Sequence, residues 1–441
     1  MSDLVSAVRR EIPGVLADLA ALVAIPSISS EPEHHGDVRA AAEAVARLFE
    51  DAGAATARVV EEGGMPAVIA SFPGPEGSPT VCLYAHHDIQ PTGDPALWTA
   101  DPLTVDHRGD RLYARGVVDD KAGIAVHLAA LRALRGRLPV GVTVFVEGEE
   151  EIGSPSMGRL LDVYRDELAA DAFVIMDSAN WAVGAPAFTS SLRGLADVVV
   201  ELRTIDHALH SGQYGGVVPD ALTALVRLLA TLHDENGDVA VAGLLSEEVA
   251  DLEYPMERLR KETGLLPGVG LTGTGTVVER LWGRPSITVL AIDATPVALA
   301  SNTLAPVARA KVSLRLAPGQ DAEAALEVLK QHLLDNAPWG AHVSFGETTA
   351  AGGSVVDHDT DMGRAYSSAI ERAWGVAPVS VGMGGSIPLI AEFQTAYPAA
   401  DMIVVGICDP DSRMHGIDES LHLGDFEAAC VAEALWLDSL R

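Results

Sequence analysis

Histidines and acids recur along this chain in short clusters whose residue types could hold divalent metal ions. They are His86 with Asp88, Asp119 with Asp120, the run Glu149-Glu150-Glu151, Asp177 and, near the end, His415. Imidazole nitrogens and carboxylate oxygens are the ligands that zinc and similar ions take. A two-metal hydrolytic centre needs one carboxylate able to span both ions, one or two further ligands on each, an open position for water, and a base to remove that water's proton. Two histidines and several acids meet that inventory. Taken singly, each acid also reads as a solvated charge or a helix cap. Asp119-Asp120 before Lys121 suits a helix start, a triple Glu suits a solvated loop, and a lone His415 suits surface or core. The residue types alone leave both readings open.

These residues need elements that bring them together. Leu4, Val8, Ile12, Val15, Leu16, Leu19 and Leu22 recur at helical spacing, which predicts a helix over 3–24 that Pro26 ends. A second helix is predicted over 37–52, closed by Gly53. Short β-like runs follow at 57–60, 67–71 and 80–85, the last opening into the loop of His86, His87 and Asp88. After 112–113 comes an Ala-rich helix over 122–135. A buried-strand pattern over 140–147 runs into the three Glu, and another over 172–176 ends at Asp177. Strands alternating with helices predict an α/β layer with a mixed, mostly parallel sheet and flanking helices, and ligands bind beyond the carboxyl ends of such strands. The polar clusters lie at those ends.

The middle of the chain reads differently. Strands at 195–203, 286–292, 307–316 and 342–347 and helices at 219–233 and 321–336 follow the ferredoxin-like order β-α-β-β-α-β, around a loosely patterned stretch at 236–284. A helix at 361–374, a strand near 379, a glycine-rich turn at 382–385, a strand at 402–406 and a helix at 426–440 return to the first pattern. The expected organisation is a discontinuous domain over 1–189 and 350–441, interrupted by an inserted α+β domain over 190–349.

Composition bounds the partners. The chain has 441 residues, which suggests two or three domains, and a formal charge of −32 from 62 Asp and Glu against 30 Lys and Arg. That surplus argues against nucleic acid or an anionic membrane surface. Apolar residues make up 48%, ordinary for a globular protein, and no apolar run approaches the length of a membrane helix. Cys82, Cys408 and Cys430 are too few and too scattered for a disulfide framework. No basic segment followed by an apolar run opens the chain, so a cytoplasmic location is expected.

The wording of the clusters adds a resemblance. Ala85-His86-His87-Asp88-Ile89-Gln90-Pro91 resembles the Gly-His-x-Asp-Val-x-Pro motif of the zinc metallopeptidase family that includes carnosine dipeptidases, aminoacylase, glutamate carboxypeptidases and succinyl-diaminopimelate desuccinylase. The segments 112–123, 147–154 (Glu147-Gly148-Glu149-Glu150-Glu151-Ile152-Gly153-Ser154), 172–177 and 414–419 resemble its further motifs, in the family's order and across almost the whole chain. His210-Ser211-Gly212 and Gly384-Gly385-Ser386-Ile387-Pro388 are most similar to the carnosinase-like dipeptidase branch.

The resemblance implies a zinc-exopeptidase fold in which the inserted domain is a lid that also makes a homodimer. It implies two Zn2+, with Mn2+ or Co2+ as substitutes, and a peptide or N-acyl amino acid substrate. His86 and Asp177 would ligate one ion, Glu151 and His415 the other, and Asp119 would bridge them through a segment whose bond to Asp120 is cis. Asp88 would orient His86, and Glu150 would be the base that activates water between the ions. Counting back from Gly153-Ser154 places the base at Glu150 and the ligand at Glu151. Within the lid, His210 would reach the partner subunit's site to stabilise the oxyanion, Arg193-Gly194 would enter the domain, and Asn302 and Arg315 would hold the substrate near the scissile carbonyl and at its carboxylate. Gly385 and Ser386 would offer amides to an anion, and Glu419 is a further candidate. Ala85 stands where the family has Gly. The activity implied is hydrolysis of dipeptides or short peptides with a free carboxylate; deacylation of N-acyl or N-carbamoyl amino acids would use the same site. A P-loop, a Gly-x-Ser-x-Gly elbow and a His-Glu-x-x-His helix are absent from the sequence.

Overall fold

The computed structural model describes residues 2–385 and 388–440, so the expectation for Ser386 lies outside the described residues. The chain forms two compact units. The first comprises Met1–Ser190, Val356–Val381 and Leu389–Arg441, and the second Ser191–Val355 with Gly382–Pro388.

The first unit is built on a six-stranded sheet in the order Thr56–Val60, Ala67–Phe72, Gly141–Glu147, Thr80–His86, Ala172–Ile175, Asp401–Val404. The last four run parallel, and Ala67–Phe72 pairs antiparallel with both of its neighbours. This is the expected mixed, mostly parallel sheet. Gly141–Glu147 is buried along its whole length, which is why it reads as a continuous apolar run and not an alternating one. Parallel pairing sets the carboxyl ends side by side, with His86 opposite Glu147 in register, and Asp177 follows two residues after Ala172–Ile175 ends.

Helices cover the sheet. Ser2–Val23 buries Leu4, Val8, Val15, Leu19 and Leu22 along one stripe. Lys121–Ala133 is buried on nearly every side, and its run of alanines is what lets it pack that closely. Lys121 is itself fully buried. Its Nζ donates to the carbonyls of Leu22 (2.8 Å) and Ile25 (2.9 Å), tying the end of the first helix to the start of this one.

The second unit holds a four-stranded antiparallel sheet in the order Ser286–Asp293, Val307–Leu316, Gly194–Arg203, His342–Ala351. With the helices Ala221–Leu229 and Ala322–Asp335 this is the ferredoxin-like arrangement. Val198, Val200, Val312 and Leu314 meet Leu225, Leu228, Leu326 and Leu329 in its core. The stretch 236–284 contains a helix, Met256–Thr263, and a π-helical turn, Glu279–Gly283, that its weak periodicity hid. A two-stranded ribbon pairs Leu209–His210 with Thr303–Leu304. Asp220 ties this ribbon to the core: Oδ1 caps Ala221–Leu229 by accepting from Thr223 N (2.8 Å), and Oδ2 accepts from Ala305 N (2.7 Å). Among the described residues, no helix is long and apolar enough to cross a membrane.

Asp220→Ala removes both the cap and the tie, and is expected to destabilise the second unit by about 1–2 kcal/mol. Thermal or urea unfolding checks this; an unchanged midpoint would contradict it.

Candidate metal centre

His86 ends its strand with both ring nitrogens engaged. Nδ1 lies 3.1 Å from the Asp88 carbonyl oxygen and 3.4 Å from Asp88 Oδ1. Donation from Nδ1 leaves the lone pair of Nε2 open to a cation, and Nε2 lies 3.2 Å from Asp119 Oδ1 and 4.0 Å from Asp177 Oδ1. The other oxygen of Asp119, Oδ2, is 3.0 Å from Nε2 of His415, which is also 3.2 Å from Glu151 Oε2. Asp119 therefore turns one oxygen to each imidazole. Its bond to Asp120 is cis. Asp120 points elsewhere and accepts the main-chain N–H of His86 (3.2 Å). A Cβ on Gly123 would stand 2.5 Å from the Asp120 carboxylate, so a larger residue there would have to displace that side chain.

The three adjacent Glu separate by environment. Glu149 is buried and accepts the amides of Met65 (2.8 Å) and Ser156 (2.6 Å). Glu150 and Glu151 enter the cluster. One carboxylate oxygen of Glu150 lies with ligand atoms of His86 and Asp177, and one of Glu151 with those of His86 and Asp119, each set mutually within 4.8 Å. Asp88 holds this turn from below. Its Oδ1 accepts from Glu150 N (3.2 Å), and its Oδ2 accepts from Glu151 N (3.1 Å) and Ser29 Oγ (2.6 Å). Glu147 closes the loop by accepting from Ser154 Oγ (3.0 Å) and from the hydroxyl of Tyr84.

His415 sits on a half-exposed loop where Arg413, His415 and Asp418 all have positive φ, 55°, 59° and 57°, a region unfavourable for residues with a Cβ. Buried arginines hold the loop in place. Arg111 donates through Nη2 to Asp409 (2.7 Å) and Ser412 Oγ (3.1 Å), and through Nε to Ser420 Oγ (2.8 Å). Arg115 donates to Glu419 (2.7 Å) and to the His415 carbonyl (3.1 Å). Glu419 also accepts from the amides of Gly116, Val118 and Asp119 at 3.0–3.3 Å. It therefore supports Asp119 and does not join the cluster. Arg111, Glu147 and the anchoring role of Glu419 escaped the sequence reading. A buried arginine facing a loop of Asp and Ser is visible only once the loop is folded.

In the second unit, His210 and Asn302 come together on the ribbon, where His210 pairs with Thr303 and Ser211 N donates to the Asn302 carbonyl (2.9 Å). The exposed His210 accepts from Gly212 N at Nδ1 (3.1 Å), which leaves the ring proton on Nε2. Arg315 lies apart from them, on the strand Val307–Leu316. Gly385 is in the short segment Gly382–Pro388, before the helix Pro388–Ala396.

Residues 82–438 match peptidase family M20/M25/M40. The chain belongs to that family. A cysteinylglycine-S-conjugate dipeptidase of Corynebacterium striatum is 34% identical over 432 residues, 96% of this chain and 94% of that protein. A β-Ala-His dipeptidase of Homo sapiens is 28% identical over 370 residues, 78% of this chain and 72% of that protein. The solved structure of the dipeptidase Dug1p from Saccharomyces cerevisiae has the same fold, with a TM-score of 0.81 at 22% identity, covering 100% of this chain and 98% of that one. As an M20 family member, the protein is a metallopeptidase and so a hydrolase.

The cluster fits divalent cations. Burial pushes Glu150 up to about 7, with Glu151, Asp88 and Asp119 adding to the rise against His86, and burial likewise raises Asp177. Carboxylates that raise one another's pKa are short of positive charge, which divalent ions supply. Burial also works against a charged Asp119, but His415 and His86 outweigh it and hold Asp119 below the usual carboxylate range. In turn, Asp119 and Glu151 raise His415 to about 10.

A protonated imidazole cannot ligate, so a metal ion taken up by His415 would displace its proton. Calorimetric titration of the chelator-treated protein with Zn2+ at pH 7, in two buffers of different ionisation enthalpy, is expected to show about one or two protons released per chain. Affinity should strengthen as pH rises towards 10. A heat independent of buffer would contradict this.

Proposed function

We propose that this M20 metallopeptidase hydrolyses dipeptides with a free carboxylate at a two-metal centre. The observation that carries the proposal is the carboxylate of Asp119, with one oxygen towards each histidine and Asp177, Glu150 and Glu151 gathered round it. The dipeptidase names of the similar proteins support the substrate class. His86, Asp119 and Asp177 would hold one ion, and Asp119, Glu151 and His415 the other. Two such ions, taken as zinc with manganese or cobalt as substitutes, supply Lewis acidity that polarises the amide carbonyl and makes water acidic near neutral pH.

The chain's own residues then act in sequence. Glu150 takes the proton of the attacking water and passes it to the leaving amine nitrogen. A carboxylate pushed up to about 7 is well matched to both transfers. Asp88 keeps His86 and the Glu150–Glu151 turn in fixed relation. Arg315, which has no ion-pair partner among the described residues, takes the substrate carboxylate through its planar guanidinium.

His210 donates from Nε2 to the oxyanion, with Asn302 beside it, and acts in the site of a partner subunit. A dimer through the second unit is supported by the strand Ser286–Asp293. It lies at a sheet edge with Leu290 (55%) and Ile292 (42%) exposed, and Val217, Val297 and Leu299 are also open to solvent. The free, buried state of Cys82, Cys408 and Cys430 supports a reducing cytoplasmic location.

Glu150→Gln should keep its metal content by elemental analysis and lose about 1,000-fold in kcat on dipeptides; full retained activity would remove Glu150 from the base role. A panel pairing dipeptides with N-acetyl and N-carbamoyl amino acids is expected to show turnover of the dipeptides, and turnover of the acyl compounds alone would reverse the substrate assignment. Inactive Glu150→Gln and inactive His210→Ala chains, reassembled together, should recover activity because each heterodimer holds one intact site. Verified heterodimers without activity would argue against action in trans.

A further inference from the structure

The open face of the second sheet carries its basic residues in a row. On the strand Val307–Leu316, Arg309, Lys311 and Arg315 alternate with the buried Ala308, Ala310, Val312 and Leu314. The first two meet acids on the adjacent strand: Arg309 Nε lies 2.6 Å from Glu201 Oε2, and Lys311 Nζ lies 3.8 Å from Asp197 Oδ2. Arg315 breaks the pattern. Its partners in register are Leu195 and Ser286, neither of them acidic. Its half-buried guanidinium enters no ion pair or hydrogen bond among the described residues.

Arg193 stands beside it and is 5% exposed. Nη1 donates to the carbonyl of Leu281 (2.9 Å), and Nη2 donates to the carbonyl of Arg284 (2.5 Å) and to Ser286 Oγ (2.9 Å). Nε is buried with no partner. Ser286 is thus hydrogen-bonded to Arg193 and paired in register with Arg315. Burial, with the like charge of Arg315 adding to it, lowers Arg193 to about 10, which still leaves it charged at neutral pH. Two guanidinium groups flank one serine with no carboxylate to balance them, in a chain of net charge −32. A buried charge without a counter-ion is costly unless something supplies one.

We propose that Arg193 is a positioning residue for the substrate: a second, buried charge that strengthens the hold of Arg315 on the substrate carboxylate without touching it. This rests on the reading of Arg315 given under the proposed function. The Nη donors of Arg193 are directed at Leu281, Arg284 and Ser286, so its influence on the substrate is through charge and through the fixed place of Ser286. A unit charge a few ångström from a half-buried carboxylate changes binding by about tenfold.

The test compares alanylglycine with its C-terminal amide on the metal-loaded enzyme, for wild type, Arg315→Met, Arg193→Met, Arg193→Gln and Arg193→Lys. Gln removes the charge but keeps a polar amide donor among the Leu281, Arg284 and Ser286 oxygens, so it serves where Met perturbs folding. The Met and Gln variants are expected to raise KM for the free acid about tenfold, leaving kcat and the kinetics of the amide within about threefold. The Lys variant should stay near wild type. Met and Gln variants that change both substrates alike, or neither, would overturn the role of Arg193. A wild type indifferent to amidation, or an Arg315→Met variant that still discriminates, would instead overturn the reading of Arg315.

Discussion

Asp119 faces an imidazole with each of its two oxygens, and holding that carboxylate in place while other acids crowd round it is the demand the first unit meets. Like charges do not gather unaided. The acids here divide into two kinds. Asp88, Asp120, Glu149 and Glu419 accept main-chain N–H groups and fix the loops. Asp119, Glu150, Glu151 and Asp177 turn oxygens towards one another and towards His86 and His415. The first kind takes hydrogen bonds from the main chain and so holds the loops that bring the second kind together. Removal of a holding acid is therefore felt at the site although that acid touches no reactant.

The loop of His415 shows the same economy from the side of backbone strain. Three residues with side chains at positive φ do not persist on a surface loop unless the surroundings over-determine them. Arg111 and Arg115 bind the loop from beneath, and Thr99 accepts a place in the same web by donating its amide and hydroxyl to Asp418. His415 can thus be half exposed and still be delivered to Asp119 and Glu151 in one orientation.

In the second unit, a sheet covered by helices on one face leaves the other face for polar chemistry. The pairing of Arg309 with Glu201 and Lys311 with Asp197 makes Arg315 conspicuous for what it lacks. The ribbon of His210 and Asn302 stands on the same unit, tied to its core by Asp220. His210 and Thr303, far apart along the chain, become neighbours because antiparallel pairing brings them opposite each other.

Much of this was legible along the chain. Continuous apolar runs marked the buried parallel strands, periodic Leu and Val marked the amphipathic helices, and clusters of His, Asp and Glu at strand ends marked the site, because burial and period leave direct traces in local sequence. The stretch 236–284 left none: its helix Met256–Thr263 has a single buried residue, Leu259, and its turns rest on arginine-to-carbonyl bonds that carry no periodic signal. Which of three adjacent Glu would face the cluster could be counted from a motif, but the physical reason, Glu149 captured by the nearby Ser156 and by the distant Met65, exists only once the chain is folded. The same holds for Glu419 beneath Asp119 and for Arg193 beside Ser286. Residue types and spacing are local and decide what chemistry is available. Which acid becomes a brace and which stays free to act depends on the donors that distant segments present, and only the packed chain settles that.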